Sequence, residues 1–224
     1  MMNQASKQIS LFICLLFLSI SLSAQWGWGS GIRGEGPVVT KTIDLENIDG
    51  LSLGVPGNVY LMKGNKQKIE IKSQKNIIDN IERTVRNGIW KIEFDKNVRN
   101  VNKLDIYITL SSFRELAIAG SGSITGEDAF NVGDLEVSIS GSGEIDLEGT
   151  AKDLEVSVAG SGDINLKNLE AENCEVSISG SGDCEVNVSE RLDVNIAGSG
   201  DVKYKGDPAK VKSSIAGSGD VRSF

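Results

Sequence analysis

The sequence predicts an all-β chain, a parallel β-helix or β-solenoid with coils near 19 residues and an irregular β-rich N-terminal part. Three observations carry this. A Gly-Ser-Gly triplet recurs six times, its first glycine at 120, 141, 160, 180, 198 and 217, so the spacings are 21, 19, 20, 18 and 19. A fixed period of that size marks units that stack on their neighbours. Each triplet is flanked by segments that alternate apolar and polar residues. Leu135-Glu136-Val137-Ser138-Ile139 and Leu154-Glu155-Val156-Ser157-Val158 come before, and Glu144-Ile145-Asp146-Leu147 and Asp163-Ile164-Asn165-Leu166 come after. That period of two is the pattern of a half-buried strand.

Taken from the N-terminus, residues 1–24 read as a signal peptide. Lys7 is the only charge before the 12-residue apolar run Leu11–Leu22, and the small residues Ser21, Ser23 and Ala24 follow. The run is too short to span a bilayer. Cleavage is expected after Ala24. Cys14 lies inside the run rather than after it, which argues against lipidation. No later segment resembles a membrane helix. The expected product is exported, to the periplasm, the outer surface or the extracellular space, with no membrane span.

Residues 25–37 are rich in Gly and Trp and read as a flexible arm. Gly29-x-Gly31-x-x-Gly34 matches a dinucleotide-binding pattern in letters only. It lacks the preceding strand and following helix that the chemistry needs.

A single solenoid domain is expected over 38–224, irregular over 38–115 and regular over 116–224. In the irregular part, strands are predicted at 38–45, 51–54, 58–62, 68–72, 89–94 and 104–110. Residues 76–85 read as one short helix or a long loop. Leu51 to Leu61 aligns with Val137 to Leu147 and is predicted to be a degenerate first coil, since terminal repeats are often atypical. Tyr60, Trp90, Phe94, Tyr107 and Phe113 gather in this part and are expected to fill the core of a cap. An exposed aromatic ligand platform is the alternative.

In the regular part each coil reads as strand, Gly-Ser-Gly bend, strand and variable return. Glycine admits the positive φ of the bend, and successive coils would rise by about 4.8 Å. An antiparallel meander is the alternative fold. Its two-residue turns favour Asn-Gly or Asp-Gly, whereas here the whole coil repeats.

The chain has a formal charge of −8, or −9 once the leader removes Lys7. That sign repels phosphate backbones, so nucleic acid is excluded as a partner. There is no histidine, which removes the commonest general base and zinc ligand. The acids after the triplets, Glu144, Asp163, Asp183, Asp201 and Asp220, would form a column broken by Ser123. These are weak calcium candidates, because calcium takes oxygen ligands. The plainer reading is that each acid faces water or caps the backbone of its own bend. No cofactor is expected. Glycosidic cleavage needs two carboxylates in different environments, and a regular column supplies identical ones. Six equivalent serines without a histidine nominate no nucleophile. Cys174 and Cys184 replace inward Leu and Ile in register. They are either core residues or a disulfide across the coil.

The Val38-to-Gly64 segment, Ile108–Leu110 and the serial Gly-Ser-Gly-Asp coils resemble the family of "putative auto-transporter adhesins" with a head GIN domain. The resemblance covers roughly residues 37–224. It implies an exported bacterial protein with a β-helix-like fold that binds a surface, glycan or protein partner. It brings no catalytic residues. The expected function is therefore a non-enzymatic cell-envelope or surface protein. One alternative is a self-associating structural module, a homo-oligomer in which partner chains cover the open end of the stack. The other is a glycan-active enzyme.

Overall fold

The computed structural model describes residues 31–224. The leader expected at 1–24, with Cys14, and residues 25–30 of the arm lie outside them. In chain order the strands begin with β1 (Ile32–Arg33), β2 (Val38–Ile43), β3 (Gly50–Leu53), β4 (Asn58–Lys63) and β5 (Lys68–Gln74). The one-turn helix α1 (Lys75–Ile78) follows, then β6 (Val85–Arg86), β7 (Ile89–Ile92), β8 (Val98–Asn100) and β9 (Asp105–Leu110). The remainder is β10 (Glu115–Gly120), β11 (Ser123–Gly126), β12 (Phe130–Asn131), β13 (Asp134–Gly141) and the long bent strands β14 (Glu144–Gly160), β15 (Asp163–Gly180) and β16 (Cys184–Gly198). It closes with β17 (Val202–Lys205), β18 (Lys210–Gly217) and β19 (Val221–Ser223).

From β10 onward every strand pairing is parallel. The fold is the predicted β-solenoid and not a meander. The expected variable returns are largely strand, because β14 and β15 continue through the corners and pair in register on the third side.

The triplets hold the coils together through the backbone. Ser142 N–H donates to the Gly120 carbonyl at 2.8 Å, and Ser161, Ser181, Ser199 and Ser218 repeat the bond one coil on. Gly141 has φ +132, and a Cβ there would lie 2.3 Å from the Gly120 oxygen. Gly143 needs no unusual φ, but a Cβ would lie 2.7 Å from the Ile118 side chain and 2.9 Å from the Gly122 oxygen. One glycine is fixed by conformation and the other by close approach.

Two apolar ladders form the core. Leu53, Ile118, Ile139, Val158, Ile178 and Ile196 are in register on one side of the bend, and Val59, Ile124, Ile145, Ile164, Cys184 and Val202 on the other. All are buried. Each such aliphatic side chain contributes about 1.5–3 kcal/mol, most of it against neighbouring coils. Cys174 stands in a third ladder between Leu154 and Leu192. Both cysteines are buried and unpaired. Burial pushes the Cys174 thiol up to about 12 and the Cys184 thiol well above its ordinary value. Each behaves as a small hydrophobe.

The N-terminal part departs from the predicted order. β3 and β4 form a true coil, with Leu51 opposite Leu116 and Val59 opposite Ile124. It is second in space. The coil made by β7 and β9 lies outside it, with Trp90 opposite Leu51 and Ile106 opposite Val59. The chain leaves β4, runs antiparallel as β5 against β9, and only then returns through α1 and β6. The outer coil carries no triplet, so the repeat could not reveal it.

That excursion closes the end of the stack. β5 covers the outer edge of β9, β2 covers β5, and β6 covers β7, all antiparallel. Trp90 is fully buried beneath them and its indole N–H donates to the Glu82 carbonyl at 2.9 Å. Lys41 and Lys75 both pair with Asp79, at 2.7 and 2.6 Å, holding its carboxyl down at about 2 and tying β2 to α1. Ile32 and Arg33, inside the stretch expected as a flexible arm, pair with β8. Ile32 N–H donates to the Asn97 carbonyl at 2.9 Å.

Candidate binding face

Outward side chains stand one per coil in columns, because stacking in register places equivalent residues above one another. The predicted acidic column exists and is longer than the repeats alone indicated. It begins at Asp105, which is buried where β5 pairs with β9, and runs through Asn58 and Ser123 to Glu144 and Asp163. It then passes to Asp183, Asp201 and Asp220, linked rung to rung. Asp183 N–H donates to Asp163 Oδ1 at 3.1 Å, Asp201 N–H to Asp183 Oδ1 at 2.9 Å, and Asp220 N–H to Asp201 Oδ1 at 2.9 Å. Asp163, Asp183 and Asp201 thus cap the next coil's backbone rather than their own bends. Ser123 interrupts the carboxylates between Asn58 and Glu144, and its hydroxyl donates to Asn58 Oδ1 at 2.9 Å, while Asn58 Nδ2 donates to Asp105 Oδ1 at 3.2 Å. Among the described residues no group of three or more His, Cys, Asp or Glu side chains converges in a metal-holding arrangement.

Beside this column runs a second one: Tyr107, Tyr60, Thr125, Asp146, Asn165, Glu185, Lys203 and Arg222. Its polar members are cross-linked. Asn165 Nδ2 donates to Asp146 Oδ2 at 2.6 Å, and Glu185 takes Lys167 at 3.1 Å and Lys203 at 3.3 Å. Those two ammonium groups hold the Glu185 carboxyl below its usual range, Lys167 contributing most. The tyrosines stack with ring centroids 5.0 Å apart and planes 17° from parallel. Both are half-buried. Partial burial, with Asp105 next in effect, raises the Tyr60 hydroxyl above its ordinary value. The expected aromatic cap core is thus divided. Trp90 and Phe113 are buried and Phe94 packs at the edge of the core, while Tyr60 and Tyr107 point outward. Sequence alternation carried that signal, since Tyr60 lies between inward Val59 and Leu61, and Tyr107 between inward Ile106 and Ile108.

Two further surfaces lie on the other side of the bend. One is a shallow trough of small residues, Ser138, Ser157 and Ser177 beside Ser140, Ala159 and Ser179. The other is a groove between acidic columns, with Asp134 and Asp153 on one flank and Glu136, Glu155 and Glu175 on the other. At its far end Arg191 pairs with Asp193. Residues 115–201 carry 19 acidic and 3 basic side chains, whereas 202–224 carry 2 and 5. The body of the solenoid therefore disfavours anionic ligands, and its last coil is locally basic.

Solved structures share this architecture. A "putative adhesin" from Bacteroides fragilis is 26% identical, with a TM-score of 0.72 over 87% of this chain and 100% of that one. A "putative lipid binding protein" from Parabacteroides distasonis is 22% identical, TM-score 0.60, over 87% and 100%. A "putative adhesin" from Parabacteroides merdae is 18% identical, TM-score 0.53, over 88% and 100%. The last two speak to the fold alone. No curated protein matches. The family described as "Putative auto-transporter adhesin, head GIN domain" matches residues 47–208, and the chain belongs to it.

Proposed function

We propose that this chain is an exported, non-enzymatic adhesin-like module of the cell envelope or surface, and that it holds a glycan or protein partner along its side-chain columns. The observation that carries this is the columns themselves. They offer one repeated group per coil over an extended face, the geometry of surface recognition rather than of a pocket. Family membership and the likeness to the Bacteroides fragilis structure agree with it. Asp163, Asp183 and Asp201 share one setting, each accepting from the backbone of the next coil, so none of the three is set apart as acid or base. A glycan array and an envelope pull-down test the reading. Specific capture in either supports it, and cleavage of an offered oligosaccharide would overturn the non-enzymatic part. Cell fractionation tests export, and recovery in the cytosol would contradict it.

A second reading, self-association, rests on the C-terminal coil. The outer edges of β18 and β19 have no partner strand among the described residues, and Val211, Ile215 and Phe224 are exposed there. Light scattering that gives a monomer at every concentration would remove it.

A further inference from the structure

We propose that copies of this chain join end to end, the free edge of β2 in one copy pairing in parallel with the free edge of β19 in the next. The proposal deepens the self-association reading and rests on it. Apolar surface is concentrated where the join would be. Among the described residues the exposed large hydrophobic side chains are Val38, Val39, Val211, Ile215 and Phe224. The first two are on β2 and the others on the last coil, so all stand at the two ends of the stack. β2 closes β5 but offers an edge of its own, six residues long. Its one lysine, Lys41, is engaged by Asp79. An apolar edge strand of this kind is a template for another strand.

Strand direction allows the join. One continuous sheet runs β2, β5, β9, β4, β11, β14, β15, β16, β17, β19. Two of its pairings are antiparallel, β2 with β5 and β5 with β9. Two reversals cancel, so β2 points the same way as β19. A copy shifted along the solenoid axis brings its β2 beside β19 in the parallel sense of the coils. Val39 opposite Val221 then joins two inward positions. Val221 continues the ladder of Cys184 and Val202, and Val39 lies on the face that carries buried Ile43.

Charge favours this contact and the step between the strands spares it a clash. Around β2, residues 34–47 carry Glu35, Asp44 and Glu46 against Lys41 alone, whereas residues 202–224 carry five basic and two acidic side chains. Opposite signs therefore face each other. β18 and β19 belong to one coil, as do β7 and β9, but β2 stands two strands outside β9 and β6 only one outside β7. With β2 seated on β19, β6 and β18 remain about 10 Å apart, two strand spacings. Arg86 on β6 is thus kept from Lys210 and Lys212 on β18. Each copy keeps one free β2 and one free β19, so the contact does not close and builds an open row.

The test is light scattering on the purified protein, with cysteine cross-linking at Thr40 and Arg222, exposed outward positions opposed in this register. At low ionic strength and rising concentration the mean mass should grow past a dimer without stopping, and about 0.5 M salt should reverse it. Oxidised with diamide, the double variant Thr40→Cys with Arg222→Cys should give a ladder of covalent multimers, and each single variant none. Cys174 and Cys184 are buried and stay out of the reaction. Val39→Lys, shown folded by circular dichroism, should weaken association by about tenfold or more. Covalent dimers from a single variant would mean a closed two-fold contact and overturn the end-to-end join. Association that Val39→Lys leaves intact, with no ladder from the double variant, overturns this interface and leaves self-association standing. A monomer at every concentration overturns both and leaves the adhesin reading in place.

Discussion

The two ends of the solenoid solve the same problem differently. At the N-terminal end, β5, β2 and β6 close the outer edges of β9 and β7 with antiparallel strands, and Trp90 is 0% exposed beneath them. At the C-terminal end the last coil continues the ladders with nothing beyond it among the described residues. Ile196 is 3% exposed, and Ile215, next in the same ladder, is 42%. Leu192 and Val211 go from 0% to 43%. Identical strand geometry with one neighbour instead of two thus leaves these side chains about two-fifths exposed. The stability of a coil comes from the coils beside it. The last described coil is blunted by composition, since Ser213 stands where Val194 and Val176 stand inward, and Lys210 and Lys212 precede it on the same strand. Lysine and polar residues on an exposed edge oppose unwanted strand addition.

Four expectations would break or sharpen that comparison. The largest is at the closed end. Trp90→Ala removes the largest fully buried side chain and its bond to Glu82, and should cost about 3–5 kcal/mol in denaturant unfolding. A cost below about 1 kcal/mol would show that the cap does not carry the stack.

The next is a matched pair. Ile196→Ala should cost about 2–4 kcal/mol, and Ile215→Ala less than about 1 kcal/mol, because only the first sits between two coils. Equal costs would mean that the last coil is covered in solution.

The third uses the buried thiols in the middle of the stack. An ordinary cysteine titrates near 8.5 in the unfolded chain, whereas Cys174 in the fold titrates at about 12 and Cys184 well above its ordinary value. The folded chain therefore keeps protons that the unfolded chain gives up. Their stabilising share is whole below about pH 8.5 and falls above it, by up to about 1.4 kcal/mol per pH unit for each thiol. Unfolding at pH 7.5 and 9.5 should show this loss, and Cys174→Ala with Cys184→Ala should abolish it. A wild-type stability that is flat across this interval would contradict burial of the thiols.

The smallest in stability concerns the blunted edge. Lys212→Val with Ser213→Val should change unfolding by less than about 1 kcal/mol but produce concentration-dependent association in light scattering. An unchanged particle size would show that these residues do not guard the edge.

Most of the regular region was legible in the sequence, because the triplet and the inward Leu, Val and Ile positions are local signals repeated six times. The order of the N-terminal coils was not. Nothing in Ile89–Ile92 announces that it stacks outside Leu51, since parallel pairing at long range leaves no local mark and the coil's bend is replaced by a long loop carrying β8. The antiparallel cap was invisible for the same reason. Of the candidate site, the alignment of the aspartates follows from the repeat, but their bonding to the next coil depends on stacking geometry that composition does not encode. Tyr60 and Tyr107 could have been placed outward from alternation alone. Aromatic character and the period of two point in opposite directions at these positions, and the fold follows the period.

Amide hydrogen exchange, read coil by coil on the monomer in dilute solution, tests the dependence of each coil on its neighbours most directly. Ser161, Ser181, Ser199 and Ser218 make equivalent bonds to the preceding glycine carbonyl, at 2.8, 2.8, 2.8 and 2.9 Å, so bond geometry alone predicts equal protection. Support from neighbouring coils predicts high protection at Ser161 and Ser181 and a marked fall at Ser218. Protection at Ser218 equal to that at Ser161 would contradict it.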